Sequence, residues 1–144
     1  MGRGRVVINH GSVYARDPKR AAENLAALTQ GMARPFHPCD GAWVCFLGTR
    51  EEDWEGPLLE FYPRDVRLAQ EGARLAFRRA DAPPRGAGTH FNLELPATRK
   101  RIETACDRLA LPHSWRDWQG LVEVWLEDEI LIECVPGAAP TPKG

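Results

Sequence analysis

Four residues stand out by type and by setting: His10 in "INHGSVYA", Glu60 in "PLLEFYP", His90 in "GTHFNLEL" and Glu133 in "ILIECV". A carboxylate inside an apolar strand is expensive unless it is paired, hydrogen-bonded or bound to a metal. Two such carboxylates, each matched with a histidine in the same half of the chain, form a coherent ligand set. Neutral imidazole together with carboxylate suits a divalent cation such as Zn, Ni, Co, Mn or Fe. Four ligands on an ion whose shell can expand leave positions for water and substrate. Strand alternation puts Ile8, His10, Ser12 and Tyr14 on one face, and Leu58, Glu60 and Tyr62 on one face. If helices cover the opposite faces, both pairs project into a concavity. For a lone histidine the plain reading is a surface or core-edge residue; the matched set argues for the metal.

The elements that must position this set occur twice. "RVVINHGSVYA" reads as a strand stopped by Asp17, an N-cap, with Pro18 at the first helical position. "PKRAAENLAALTQG" follows as a helix with Ala21, Leu25, Leu28 and Met32 on one face and Gly31 as C-cap. Segments punctuated by Pro and Gly come next: "RPFHPCDG", the strand "AWVCFLG", the polar loop "TREEDWEG" and the strand "PLLEFYP". The second half repeats the order. "GTHFNLELP" is a strand, and "ATRKRIETACDRLAL" a helix directing Ile102, Ala105, Cys106 and Leu109 to the core. "PHSWRDWQG" is a short irregular strand, and "LVEVWLEDEILIECVP" a hairpin turning near Glu127 and Asp128. The unit is strand, helix and three strands, used twice, with His10 and His90 in matching strands and Glu60 and Glu133 in each closing strand. One domain of two modules is expected, at about residues 5–63 and 88–136. A linker spans 64–87 and a frayed tail 137–144. Within the linker, "VRLAQEGARLAFRRA" fits either a short helix or an extended segment.

Composition bounds the function. Over 144 residues, 43% are hydrophobic and 27% charged, with a net charge of -1, which suits a folded globular chain. This balance provides no basic footprint for nucleic acid. No apolar run reaches the roughly 18 residues that span a bilayer, and the N-terminus lacks the apolar core of a secretion signal. Cys39, Cys45, Cys106 and Cys134 show no CxxC spacing and read as reduced packing residues of a cytoplasmic protein.

With these segments in place, the chain resembles the vicinal oxygen chelate superfamily, which includes glyoxalase I, fosfomycin-resistance proteins, extradiol dioxygenases and bleomycin-resistance proteins. "INHGSVYARDPKRAAENLAAL", "GPLLEFYP", "GTHFNLEL" and "ILIECVP" carry the resemblance, over about residues 5–136. It implies an α+β fold in which two βαβββ modules form an incomplete eight-stranded barrel around a cup-shaped cleft. The glyoxalase I branch uses one His and one Glu per module, which here fall on His10, Glu60, His90 and Glu133. In that branch the metal stabilises an enediolate, and Glu133 or Glu60 would serve as the base. Isomerase, epimerase or lyase chemistry on a small substrate with vicinal oxygens is the leading expectation. The chain departs from the family in having "LEDE" where a "DPDG"-like turn is frequent, and it shows no glutathione-binding pattern.

Three rival readings come with the resemblance. His10, His90 and Glu133 alone would make the two-His-one-carboxylate triad of an extradiol-type Fe(II) dioxygenase, against which Glu60 speaks. A metal-bound water opening an epoxide is another. A bleomycin-resistance-like protein would bind its ligand without metal in an aromatic cleft, for which Trp43, Trp54, Trp115, Trp118 and Trp125 are candidates, although packing is the plainer role for any single one. His37, in "PFHPC", is a secondary acid or base candidate at the rim. The modules can pair within one chain or between two, and a homodimer is preferred.

Overall fold

In the computed structural model, residues 10–47, 57–71, 74–80, 89–127 and 130–137 are described, except for the side chains at 68, 70, 71, 74, 75, 89 and 90. The first strand, β1 (His10–Ala15), leads into helix α1 (Pro18–Thr29). Asp17 caps the helix by accepting the Arg20 N–H at 3.0 Å, and Pro18 occupies the first turn, where no amide hydrogen is needed. Ala21, Ala22, Leu25, Ala26 and Leu28 are buried, a small-residue stripe that lets the helix lie close to its sheet. The cap differs from expectation. Gln30, not Gly31, takes the left-handed conformation (φ 58°). Gly31 is needed for a separate reason: a Cβ there would collide with the Phe46 carbonyl oxygen. Met32, expected on the helix face, begins the next strand instead, because the helix has already ended.

Strands β2 (Met32–Pro35), β3 (Trp43–Phe46) and β4 (Leu58–Pro63) complete a sheet of order β1-β4-β3-β2. β1 and β4 run parallel, joined through the helix, and β3 runs antiparallel to both β2 and β4. The second module repeats this arrangement. β7 (Thr89–Leu95) precedes α2 (Arg99–Leu109), which is capped by Thr98; β8 (His113–Arg116), β9 (Leu121–Glu127) and β10 (Ile130–Pro136) follow. Their order is β7-β10-β9-β8, with β7 and β10 parallel. The two four-stranded sheets are not closed into a barrel, and with two helices they make an α+β fold.

Between the modules, the segment that fitted helix or strand is a hairpin, β5 (Val66–Glu71) with β6 (Arg74–Arg79). The Arg79 guanidinium fixes it, pairing with Asp65 at 2.8 Å and donating to the Asp40 carbonyl at 2.7 Å.

One apolar cluster joins both halves. Val13, Ala15, Leu59 and Phe61 from the first sheet meet both helices and Val122, Val124, Ile130, Ile132 and Cys134 from the second. α1 packs on its own sheet and also touches α2 and β9. The Glu127 carboxylate accepts the backbone N–H of Arg16 at 2.7 and 3.0 Å, tying the end of β1 to the end of β9. All four cysteines are free and buried. Burial raises the Cys45 and Cys134 thiols to about 12 and the Cys106 thiol to about 11.

Candidate functional site: two matched half-sites

Each sheet directs one face to the shared core and the other away from it. On the first sheet, Val13, Leu59 and Phe61 belong to the core, so alternation places His10, Ser12, Tyr14, Leu58, Glu60 and Tyr62 on the far face. In the parallel register His10 stands opposite Leu58, Ser12 opposite Glu60 and Tyr14 opposite Tyr62. His10 is exposed and Glu60 half-buried. Glu60 is held firmly: its Oε2 accepts hydrogen bonds from Tyr62 OH at 2.6 Å and Ser12 Oγ at 3.0 Å. Burial, and then the hydrogen bond to Glu60, push the Tyr62 hydroxyl well above its ordinary ionisation range.

The β5–β6 hairpin forms a wall beside this half-site. Phe77 stacks on Tyr62 with ring centroids 5.5 Å apart, and Phe36 meets Tyr62 edge-on at 6.0 Å. Cys39, Ala42 and Val66 complete the cluster. The Arg67 guanidinium lies 5.8 Å from the Tyr14 ring centre. The wall thus packs the ring of the tyrosine whose hydroxyl holds Glu60.

On the second sheet, Ile130, Ile132 and Cys134 face the core, leaving Leu131, Glu133 and Val135 on the far face. Glu133 is 8% exposed. It stands directly opposite Glu123 on β9, a like-charge cross-strand pair that is unfavourable by itself. Arg116 resolves the conflict. Its Nη1 donates to Glu133 Oε2 at 3.1 Å, and its Nη2 pairs with Glu123 Oε1. Gln119 Oε1 accepts from the same Nη1 at 2.6 Å, and Ser114 Oγ donates to Glu123 at 3.3 Å.

The two halves share one register. His10 is opposite Leu58, two residues before Glu60; position 90 is opposite Leu131, two residues before Glu133. The His90 side chain lies outside the described residues, so its place rests on the backbone register. Among the described residues no three His, Cys, Asp or Glu side chains come together as a metal-binding group. Among the described side chains, His10, Glu60 and Glu133 do not form one ligand group.

The other candidates are dispersed. His37 is exposed in the turn between β2 and β3. Trp43 and Trp115 pack against the main core, Trp118 and Trp125 are 79% and 37% exposed, and Trp54 lies outside the described residues. Arg99 covers the Trp115 ring at 4.1 Å. Among the described residues, these tryptophans do not define one aromatic cleft. Sequence reasoning gave no role to Ser12, Tyr62, Glu123 or Arg116. The first two were placed on the correct face; Arg116 carried no signal, because its partners come from strands whose register was unknown.

By residue type alone, the candidate set is one that a divalent ion accepts. Two imidazole and two carboxylate positions form a nitrogen and oxygen donor set, and each His–Glu pair occupies the same offset on neighbouring parallel strands.

No protein-family model matches the sequence, and comparison with curated proteins returns no relative. Solved structures do match. Lactoylglutathione lyase from Agrobacterium tumefaciens superposes with a TM-score of 0.56 at 15% identity, over 94% of this chain and 96% of that one. The trypanothione-dependent glyoxalase I of Leishmania major gives 0.52 at 13%, over 92% and 87%. The fosfomycin resistance protein FosX from Mesorhizobium loti gives 0.52 at 10%, over 99% and 95%. The chain has the fold of the vicinal oxygen chelate superfamily. Two of these neighbours are glyoxalases and the third a fosfomycin resistance protein, so the shared fold does not by itself set the reaction.

Proposed function

We propose that this protein is a divalent-metal-dependent enzyme that acts on a small substrate bearing neighbouring oxygen atoms, with isomerase, epimerase or lyase chemistry. The observation that carries the reading is the identical register of the two His–Glu pairs, His10 with Glu60 and His90 with Glu133, on the far faces of two equivalent sheets. Neither pair suffices for a four-ligand site. The working unit is therefore a homodimer in which the first sheet of one copy meets the second sheet of the other, and His10, Glu60, His90 and Glu133 hold the ion. When bound, the ion would supply Lewis acidity to the substrate oxygens.

The chain's own residues supply the rest. Ser12 and Tyr62 fix Oε2 of Glu60, and its other oxygen, Oε1, would serve as ligand or proton acceptor. Glu133 is the second candidate base, with Arg116 beside it. The aromatic cluster of Phe36, Tyr62 and Phe77 packs on the side of the first sheet that carries Glu60 and would shield that carboxylate from solvent.

One observation favours a second reading, a metal-free small-molecule-binding protein. Both carboxylates already have protein partners, Glu60 in two hydroxyls and Glu133 in a guanidinium. Elemental analysis of protein purified without a metal-binding tag separates the two readings. The enzyme reading expects a divalent metal in the wild type, or its uptake on exposure to Ni, Zn, Mn or Fe, and its loss in His10→Ala and Glu133→Ala. Wild-type protein that takes up none of these ions would establish the metal-free reading.

A further inference from the structure

Arg116 occupies Glu133, one of the carboxylates that the metal reading requires. Its guanidinium reaches Glu133 with one terminal nitrogen and Glu123 with the other, and all three side chains are largely shielded, with 29%, 10% and 18% exposure respectively. Glu133 and Glu123 face each other directly across β9 and β10. Two carboxylates so placed need a positive charge between them, and a forked guanidinium can serve both at once, as an ammonium cannot.

We propose that Arg116 is an internal competitor for the metal: it holds Glu133 in the metal-free protein and retreats onto Glu123 when the ion binds. The inference rests on the metal reading above. Arg116 has a second anchor already in place, since Nη2 is on Glu123, so releasing Glu133 does not strand the guanidinium. Gln119 Oε1 already accepts from Nη1 at 2.6 Å, so that nitrogen keeps one acceptor when Glu133 is released. Trp118, whose ring centre lies 5.6 Å from the guanidinium carbon, remains beside it on the exposed side. Glu123 is then the positioning residue that determines how easily Glu133 is released.

The two carboxyl and guanidinium substitutions have opposite expected signs. Arg116→Gln removes the competitor and a positive charge, so Zn2+ affinity tightens by about tenfold, the size of one lost charge-assisted hydrogen bond. Glu123→Gln removes the alternative anchor, commits Arg116 to Glu133, and weakens Zn2+ affinity by about the same factor. Arg116→Lys keeps the charge without the fork and falls between wild type and Arg116→Gln. The measurement is Zn2+ competition against a chromophoric chelator, using full-length tag-free protein with circular dichroism to confirm folding. Zn2+ uptake by Arg116→Gln where wild type takes up little also supports the proposal. Wild-type binding that neither substitution changes, or changes of the wrong sign, overturns it and leaves the metal reading intact. No Zn2+ uptake in wild type or in Arg116→Gln defeats both. If Arg116→Gln does not fold, Glu123→Gln decides alone: unchanged or tighter binding refutes the competitor role.

Discussion

At the scale of single residues, the carboxylates that look anomalous in the sequence are explained by their neighbours. Glu60 in "LLEFYP" was legible as an awkward buried charge, but its partners were not, because Ser12 is brought alongside only by the parallel register of β1 and β4. The same holds for Glu133, whose guanidinium partner lies seventeen residues upstream on a non-adjacent strand. Of the two hydroxyls on Glu60, that of Tyr62 is the nearer, at 2.6 Å. Tyr62→Phe should lower the unfolding free energy by about 1–3 kcal/mol at neutral pH, as expected for a hydrogen bond to a charged group. The pH dependence follows from the direction of the tyrosine shift. Its folded ionisation is raised above the ordinary value of 10.0, so the wild-type advantage is complete below pH 10 and declines as pH rises beyond it, where the unfolded chain ionises first. Urea titrations of both proteins at pH 8 and pH 11 test this: the gap between them should narrow at the higher pH. A gap that is absent at pH 8 would show that the hydroxyl does not hold Glu60.

At the scale of elements, most of the order was readable because local chemistry determines it. Asp17 and Pro18 start α1, the Ala and Leu stripe buries it, and the closing hairpin of the second module follows its alternating pattern. What was not readable came from contacts distant in sequence. The β5–β6 segment mixes Arg with short apolar runs and could satisfy either period; its extended strands pack Val66 and Phe77 against Tyr62. The helix end shows the same limit. Gly31 was legible as a stop signal, yet its actual constraint is the Phe46 carbonyl of β3, against which a Cβ would collide. Gly31→Ala should therefore destabilise by about 1–3 kcal/mol through overpacking, although alanine is the better helix former. Thermal unfolding of the variant checks this. A melting temperature equal to or above wild type would mean that β3 yields without cost.

At the scale of the whole molecule, the repeat has a consequence beyond symmetry. A single core draws the helix-bearing faces of both sheets together, so Glu60 and Glu133 lie on the far side of their sheets from that core. The repeat was legible in the sequence, which also offered four candidate ligand positions; whether the halves close on each other within one chain depends on packing that no local pattern encodes. The described residues bring no three ligands together, which is why the proposed cup draws on two copies. Refolding His10→Ala chains with Glu133→Ala chains tests that arrangement. Random pairing makes half of the dimers mixed, and each mixed dimer combines one intact first sheet with one intact second sheet. About a quarter of the wild-type metal content should return. A site built within each chain would recover none, because every chain in the mixture carries a broken ligand set. Recovery of metal in the mixture, absent from either variant refolded alone, would place His10 and Glu133 of one site on different chains.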